Sequence, residues 1–194
     1  MSVLPEQENI KEHLHLMSKT IDKMDVFIKD ILDYSKNSKT EVKHEKIDFK
    51  ELIDASWKNL KYMNVKSNHV INVNIEQSTP FFSDKKRLEI IFNNLMSNAL
   101  KYYDSSKPEH ILSITVKTNK EEVEVLVQDN GIGIGKEHIS KVFDMFYRAT
   151  KFSSGSGMGM YIVSETIEKL RGTIKVESEL KKWTKFTFTI PNCK

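Results

Sequence analysis

Apolar residues between positions 9 and 35 recur in alternating steps of four and three residues. This spacing is the a/d repeat of a coiled coil or helical bundle, and it predicts one long helix. A single helix lying on a globular core is the alternative, but the strict alternation favours packing against another helix. No other segment repeats the pattern, so a second copy, another protein or a helix outside this chain should cover it. The repeat consists of Ile10, Leu14, Met17, Ile21, Met24, Ile28 and Ile31.

Shorter elements follow a polar segment, residues 36–46, that is predicted to be a linker. Asp48 and Glu51 have the spacing of a helix-capping pair. Alternation of apolar and polar residues predicts five strands, and Val73 lies on the apolar face of the first. These elements predict an α+β fold, with one mixed sheet and helices over one of its faces. The helices are predicted from Asp48, from Asp84, over 136–146 and over 158–171, and the strands at 69–76, 111–118, 121–129, 172–178 and 185–191.

Composition and charge narrow the class of protein. The chain has 194 residues, 39% hydrophobic and 29% charged, which is enough for one core and a smaller appendage. A net charge of +3 gives no bias towards polyanions, so we expect no nucleic-acid partner. The single cysteine, Cys193, cannot form an internal disulfide and fits a reducing compartment. No apolar run is long enough to span a membrane, and the N-terminus does not resemble a signal peptide, so we expect a cytoplasmic location.

Three asparagines occur in the helical pattern at residues 88–102. Asn94, Asn98 and Lys101 share one helix face, about a third of a turn from the apolar stripe. Amide oxygens suit magnesium and a lysine suits a phosphate, so this face is a candidate binding surface. A polar, solvated helix face is the alternative interpretation.

Six of the seven glycines fall in two stretches, DNGIGIG at 129–135 and GSGMG at 155–159. Asp129, at a strand end beside a glycine-lined slot, could accept a hydrogen bond from an adenine amine and discriminate against the guanine carbonyl. The alternative is a hairpin turn at Asn-Gly. The second stretch precedes a helix, where backbone N–H groups could hold phosphates, or it is a flexible linker. Met160 stands where the Rossmann fingerprint needs glycine, and Walker A and protein-kinase signatures are absent.

In order and spacing, NNLMSNALKYY, DNGIGIG, KVFDMFYR and GSGMGM resemble the N, G1, F and G2 boxes of the sensor histidine kinases, within the GHKL superfamily. The resemblance covers residues 47–191, and the helix at 9–35 resembles the second helix of that family's dimerisation and histidine-phosphotransfer domain. It implies a partial dimerisation domain at 1–40 and a catalytic ATP-binding domain at 45–194. The implied fold is the GHKL, or Bergerat-type, two-layer α/β sandwich with a mixed, mostly antiparallel sheet, preceded by one long helix.

The resemblance also implies roles for matching residues, with ATP and Mg²⁺ as cofactors. Asn98 would bind the Mg²⁺ that bridges the phosphates, Asp129 would recognise the adenine amine, and residues 147–157 would form a mobile lid. Asn94, Lys101 and Arg148 would position the phosphates for catalysis. The implied ATP-binding residues are Asn94, Asn98, Lys101, Tyr102, Asp129, Gly131, Gly133, Ile134, Phe143, Phe146, Tyr147, Arg148, Gly155, Ser156, Gly157, Met158, Gly159, Met160 and Thr184.

The implied reaction is transfer of the ATP γ-phosphate to a histidine, followed by relay to the receiver domain of a response regulator. In the gyrase-like ATPases of the superfamily a glutamate stands at the position of Asn94. An amide cannot accept a proton, so Asn94 argues against efficient hydrolysis. A degenerate, non-catalytic scaffold and a GHKL ATPase or serine kinase are the rival interpretations. The implied partners are the regulator and a second copy bound through helix 9–35, with any membrane contact made by upstream segments.

Two departures from the family pattern bear on the implied roles, whereas Gly135 in place of a common proline and Met158 and Met160 in place of leucines are tolerable changes. No histidine is followed by the acidic residue and the arginine and proline of the usual acceptor site, so we expect the acceptor upstream and no self-phosphorylation by this chain. His69, His110 and His138 are predicted to be surface or strand-edge residues. Trp183, just before Thr184, stands where the family usually has glycine.

Overall fold

The computed structural model describes residues 40–61, 69–149 and 156–193, together with scattered positions between 10 and 35. Its helices are α1 (Phe49–Lys61), α2 (Lys85–Lys101), α3 (Lys136–Ile139) and α4 (Gly159–Lys169). Its strands are β1 (Glu45–Lys46), β2 (His69–Gln77), β3 (Phe82–Ser83), β4 (His110–Thr118), β5 (Glu122–Asp129), β6 (Thr173–Glu179) and β7 (Trp183–Pro191).

Five strands form one mixed sheet in the order β2-β4-β5-β7-β6. β2 and β4 run parallel, and the other neighbours are antiparallel. A tight turn connects β4 and β5: the Asn119 side chain accepts hydrogen bonds from the backbone N–H groups of Glu121 and Glu122. The predicted two-layer α+β architecture with a mostly antiparallel sheet is confirmed.

Helices α1, α2 and α4 cover one face of the sheet and enclose the core. Successive residues of β4, β5 and β7 alternate between this core and the outer face, as expected for a sheet with one solvated side. At the centre, the rings of Phe92 on α2 and Phe188 on β7 meet edge to face with centroids 6.0 Å apart. The core therefore fixes α2 against β7, whose first residues lie beside the last residue of β5, Asp129.

Both predicted helix starts are confirmed. The Asp48 carboxylate accepts a hydrogen bond from the Glu51 backbone N–H at 3.0 Å, ahead of α1. Asp84 caps α2 by accepting from the Arg87 backbone N–H at 3.0 Å. The apolar side of α2 is buried, and the buried residues are Leu88, Ile91, Phe92, Leu95, Met96 and Ala99.

The predicted linker is only partly a linker. Residues 40–46 lie on the domain, and β1 pairs antiparallel with β3. The buried Arg87 guanidinium forms an ion pair with Asp84 and donates to the backbone carbonyls of Thr40 and Glu41. These contacts hold the segment where it enters the domain. Residues 36–39 lie outside the described residues.

Three local predictions are wrong. The helix predicted over 136–146 ends at Ile139 and continues as turns, and Phe146 has φ 65°, a left-handed conformation that no α-helix contains. Val73 remains 40% exposed, since β2 is an edge strand with a neighbour on one side only. His110 is buried rather than exposed, because its ring lies 4.8 Å from the His69 ring and 4.5 Å from the Tyr103 ring.

The described positions between 10 and 35 are helical, as predicted. Every member of the apolar repeat is exposed, from 39% at Ile31 to 61% at Met17. One described residue of this helix, Phe27, contacts the α+β domain, with its ring 5.7 Å from that of Phe146. Among the residues that the structure describes, no helix has the length and apolar character needed to cross a membrane.

Candidate nucleotide-binding site

The stretches singled out in the sequence meet at the C-terminal half of α2. A β-carbon built on Gly159 would lie 2.8 Å from the Asn94 amide oxygen. The glycine-rich segment at the start of α4 therefore lies against the asparagine face. The backbone N–H of Ile132 donates to the Tyr102 carbonyl at 3.0 Å, which joins the Asp129 loop to the end of the same helix. One helix thus connects both glycine stretches.

The asparagine face of α2 is half-buried rather than fully solvated. The Asn94 amide nitrogen donates to the Ile90 carbonyl at 2.9 Å, which turns its amide oxygen towards Gly159. One turn further on lies Asn98, and the Lys101 ammonium sits 4.9 Å from the centre of the Tyr102 ring. The face offers amide oxygens and one cation beside the start of α4.

Asp129 ends β5 at the rim of the core. Burial raises the pKa of its carboxyl to about 6, although a hydrogen bond from the Gly131 backbone N–H at 2.8 Å and the charge of Lys107 act in the opposite direction. In the sheet register Asp129 lies opposite Thr184, which is buried on β7. The site therefore presents a desolvated acid beside a hydroxyl.

Two glycines after Asp129 are needed for close approach. A β-carbon on Gly131 would overlap the Tyr102 carbonyl oxygen. Gly133 has φ 67°, and a β-carbon there would overlap the Glu179 carbonyl oxygen. The alternative of a hairpin turn at Asn130–Gly131 is wrong, because β5 is followed by α3 and pairs with β4 and β7.

Hydrogen bonds join this loop to the β6–β7 turn. The Lys181 backbone N–H donates to the Ile132 carbonyl at 2.6 Å. The Ile134 backbone N–H donates to the Ser178 hydroxyl at 2.8 Å, and that hydroxyl lies 2.6 Å from the Trp183 carbonyl oxygen and 3.1 Å from the Thr184 hydroxyl. Trp183, the departure noted in the sequence, therefore leaves Thr184 within the network.

A cavity of about 10 Å³, room for one water molecule, lies behind Asp129. Four aromatic side chains from α1, β2, the segment after α2 and β4 contribute to its wall, together with Ala99 of α2 and Gly131. The four aromatic residues are Trp57, His69, Tyr103 and His110.

The segment before α4 is anchored at both described ends. Phe143 packs on the core, with its ring 6.3 Å from that of Phe186, and the Tyr147 hydroxyl lies 2.6 Å from His138 Nδ1. Phe146 is 49% exposed and Arg148 is exposed. On the other side, Gly157 has φ 79° and lies against the Phe146 and Tyr147 backbone.

The described start of α4 is ordered by its own sequence. The Ser156 hydroxyl accepts from the Met158 backbone N–H at 3.1 Å, and Met158 is buried while Met160 packs partly on the core. These contacts place the helix N-terminus beside Asn94. Gly155 lies outside the described residues.

Comparison with known proteins settles the family. A model of the family described as histidine kinase-, DNA gyrase B-, and HSP90-like ATPase matches residues 83–194. The chain belongs to this family. It is a GHKL catalytic ATP-binding domain of the sensor histidine kinase type.

Relatives and solved structures agree with this membership. Sensor protein RprX of Bacteroides fragilis is 37% identical over 160 residues, which cover 79% of this chain and 30% of RprX. The chain thus spans less than a third of that relative. Histidine kinase AdeS of Acinetobacter baumannii has the same fold, with a TM-score of 0.72 at 22% identity over 99% of this chain and 88% of AdeS. Full-length ShkA, solved with AMPPNP, has a TM-score of 0.75 at 20% identity, over 100% of this chain and 40% of ShkA.

The structure of this GHKL domain brings most of the predicted residues together around α2, the Asp129 loop and the start of α4. Phe146 and Arg148 are the exposed members among the described residues of the predicted set. Sequence reasoning missed Ser178 and Lys107, whose polar atoms bond to the Asp129 loop. Asp104 and Ser106 are turn-forming residues and could have indicated an ordered loop before Lys107. They could not have indicated the contacts of Lys107 with residues far away in the sequence.

Burial of Asp129 in this GHKL domain should lower the free energy of unfolding at a pH where its carboxyl is ionised. The folded-state pKa of Asp129 lies above the ordinary value of 3.8, so the stability it contributes is present below about pH 4 and is lost as the pH rises through about 6. Asp129→Asn should therefore raise the free energy of unfolding, relative to wild type, by about 2 kcal/mol more at pH 8 than at pH 4. Scanning calorimetry at both pH values measures the difference. Gln128→Asn, an exposed amide on the same strand, changes no ionisable group and should show no difference between the two pH values. An equal change in the free energy of unfolding for Asp129→Asn at pH 4 and at pH 8 would contradict the assignment.

Proposed function

We propose that this chain is the catalytic part of a two-component sensor histidine kinase, which binds Mg-ATP and transfers the γ-phosphate to a histidine on another polypeptide segment. The convergence of the Asn94–Lys101 face, the Asp129 loop and the start of α4 is the observation that carries the proposal. Relay to the receiver domain of a response regulator follows from the same assignment. Membership of the sensor kinase family supports a membrane-anchored parent with this part on the cytoplasmic side.

The adenine would bind at Asp129. Its carboxylate accepts hydrogen bonds when ionised, and the adenine amine is a donor where guanine has an acceptor. Gly131 and Gly133 let the loop after Asp129 pass close to the Tyr102 and Glu179 carbonyls, and the Thr184 hydroxyl would offer the adenine a second polar contact opposite Asp129. Because the site is partly desolvated, the unpaired group left by a guanine would be costly, which gives selectivity for adenine.

The phosphates and Mg²⁺ would lie along α2. Among the described residues no group of three or more His, Cys, Asp or Glu could hold a metal ion. The hard oxygen ligands on this face are the amides of Asn94 and Asn98, which fit a magnesium that takes most of its other ligands from phosphates and water. Asn98 would hold the ion, which neutralises phosphate charge during transfer. Lys101, Arg148 and the backbone N–H groups before α4 would position the phosphate oxygens.

Transfer to a histidine fits the chemistry of Asn94 better than hydrolysis does. Asn94 carries an amide, which cannot remove a proton from water. In the proposed step an acceptor imidazole nitrogen attacks the γ-phosphorus and the bond to the ADP oxygen breaks. The site then contributes positioning and charge neutralisation, and the acceptor supplies the nucleophile.

Calorimetric titration with AMPPNP tests the nucleotide site. We expect binding that needs Mg²⁺ and is at least about tenfold tighter than binding of GTP, a difference of about 1.4 kcal/mol. Asn98→Ala should remove the magnesium dependence, because it deletes the proposed metal ligand. Asn72→Ala, an exposed asparagine on β2, is the matched control and should bind like wild type. Absence of binding at millimolar nucleotide would favour the scaffold interpretation and refute the proposal.

The exposed apolar repeat supports self-association through helix 9–35. Burying seven large apolar side chains against a second copy would contribute of the order of 1 kcal/mol or more for each side chain. Sedimentation equilibrium should show a dimer, and Leu14→Asp should dissociate it, since the charge falls in the seam. Ser18→Asp, on the same helix outside the repeat, should leave the dimer intact. A wild-type monomer at about 100 μM would defeat this part of the proposal.

A further inference from the structure

Lys107 occupies a position that neither the sequence motifs nor the family comparison assigns to the site. It lies between α2 and β4 and is half-buried. The Asp104 carboxylate accepts from the Ser106 backbone N–H at 3.0 Å and from its hydroxyl at 2.6 Å, and the Lys107 backbone N–H donates to the Asp104 carbonyl at 3.1 Å. This local turn fixes the backbone from which the Lys107 side chain leaves.

The Lys107 ammonium lies among three backbone carbonyls from two separate parts of the chain. Its Nζ is 2.5 Å from the Asn130 oxygen, 3.4 Å from the Gly131 oxygen and 2.9 Å from the Lys182 oxygen. An ammonium group has three donors, so its capacity matches these acceptors. The first two carbonyls belong to the loop that follows Asp129, and the third belongs to the β6–β7 turn.

We propose that Lys107 is a positioning residue of the nucleotide site, which fastens the loop after Asp129 to the β6–β7 turn and holds the Asp129 carboxylate where an adenine amine would donate to it. The proposal rests on the nucleotide-binding function proposed above. The three carbonyls that Lys107 contacts belong to the loop after Asp129 and to the β6–β7 turn, so its assigned role acts through Asp129 and not in catalysis.

Charge gives Lys107 a second effect on Asp129. The positive charge opposes the burial that raises the pKa of Asp129, and so it favours the ionised form that accepts a hydrogen bond. The other titratable groups around Asp129 are His69 on β2, His110 on β4 and Tyr103 after α2, which line the cavity behind it. These three are unchanged in a Lys107 variant, so a comparison with wild type isolates the lysine.

Lys107→Met tests the proposal, since it keeps the aliphatic stem and removes the ammonium. We expect the Kd for Mg-ADP, measured by calorimetry at pH 7, to rise at least about fivefold, while the Kd for inorganic tripolyphosphate changes less than about twofold. The pH midpoint of ADP binding should move upward, because loss of the positive charge raises the pKa of Asp129, and a purely structural contact would not cause this shift. Lys107→Arg keeps charge and donors and should restore both values.

The controls distinguish a failure of the Lys107 role from a failure of the proposed nucleotide binding. Lys175→Met removes an equivalent charge from an exposed position on β6 and should change neither value. If wild type binds ADP no better than tripolyphosphate, the nucleotide function itself fails. If wild type prefers ADP but Lys107→Met behaves like Lys175→Met, only the role of Lys107 is refuted. Should Lys107→Met not fold, Lys107→Gln retains hydrogen-bond donors without charge and must still shift the pH midpoint, or the proposal is wrong.

Discussion

The candidate site depends on how α2 is held. The helix buries Leu88, Phe92 and Leu95 against the sheet, and this burial fixes its rotation about its own axis. With that rotation fixed, Asn94, Asn98 and Lys101 must occupy the neighbouring side, where the segment before α4 and the Asp129 loop approach them. Asparagine is a weak helix former, and the buried apolar side, at roughly 25 cal/mol for each Å² removed from water, offsets that weakness.

The proposed adenine end of the site is built at a cost to stability. Asp129 is desolvated, which raises the pKa of its carboxyl, and Gly131 and Gly133 give up side-chain packing to permit backbone approach. The loop is kept in place by contacts from outside it: the Ser178 hydroxyl, the Lys181 backbone and the Lys107 ammonium. A recognition loop of this kind is stable only as part of the whole domain, which explains why its supports come from α2, the turn before β4 and the β6–β7 turn.

Sequence patterns predicted what is periodic or local, and missed what is distant. The face of α2, the caps at Asp48 and Asp84 and the alternation of β4 and β5 follow from repeats of fixed spacing, and the structure has all of them. Lys107 bonds to backbone carbonyls, which every residue carries. The residue types in the sequence therefore do not indicate which carbonyls it will contact. The two-residue ribbon of β1 and β3 is too short to show alternation, and the burial of His110 arises from ring contacts across strands.

Phosphoryl transfer tests the central claim most directly. The chain would be mixed with γ-³²P-labelled ATP, Mg²⁺ and a two-helix acceptor protein that carries one histidine, beside the same acceptor with glutamine in its place. The account predicts acid-labile label on the histidine acceptor alone, and slow release of inorganic phosphate when no acceptor is present. Phosphate release at the same rate with and without the acceptor, or nucleotide binding with no transfer at all, would contradict the assignment of this domain as a histidine kinase.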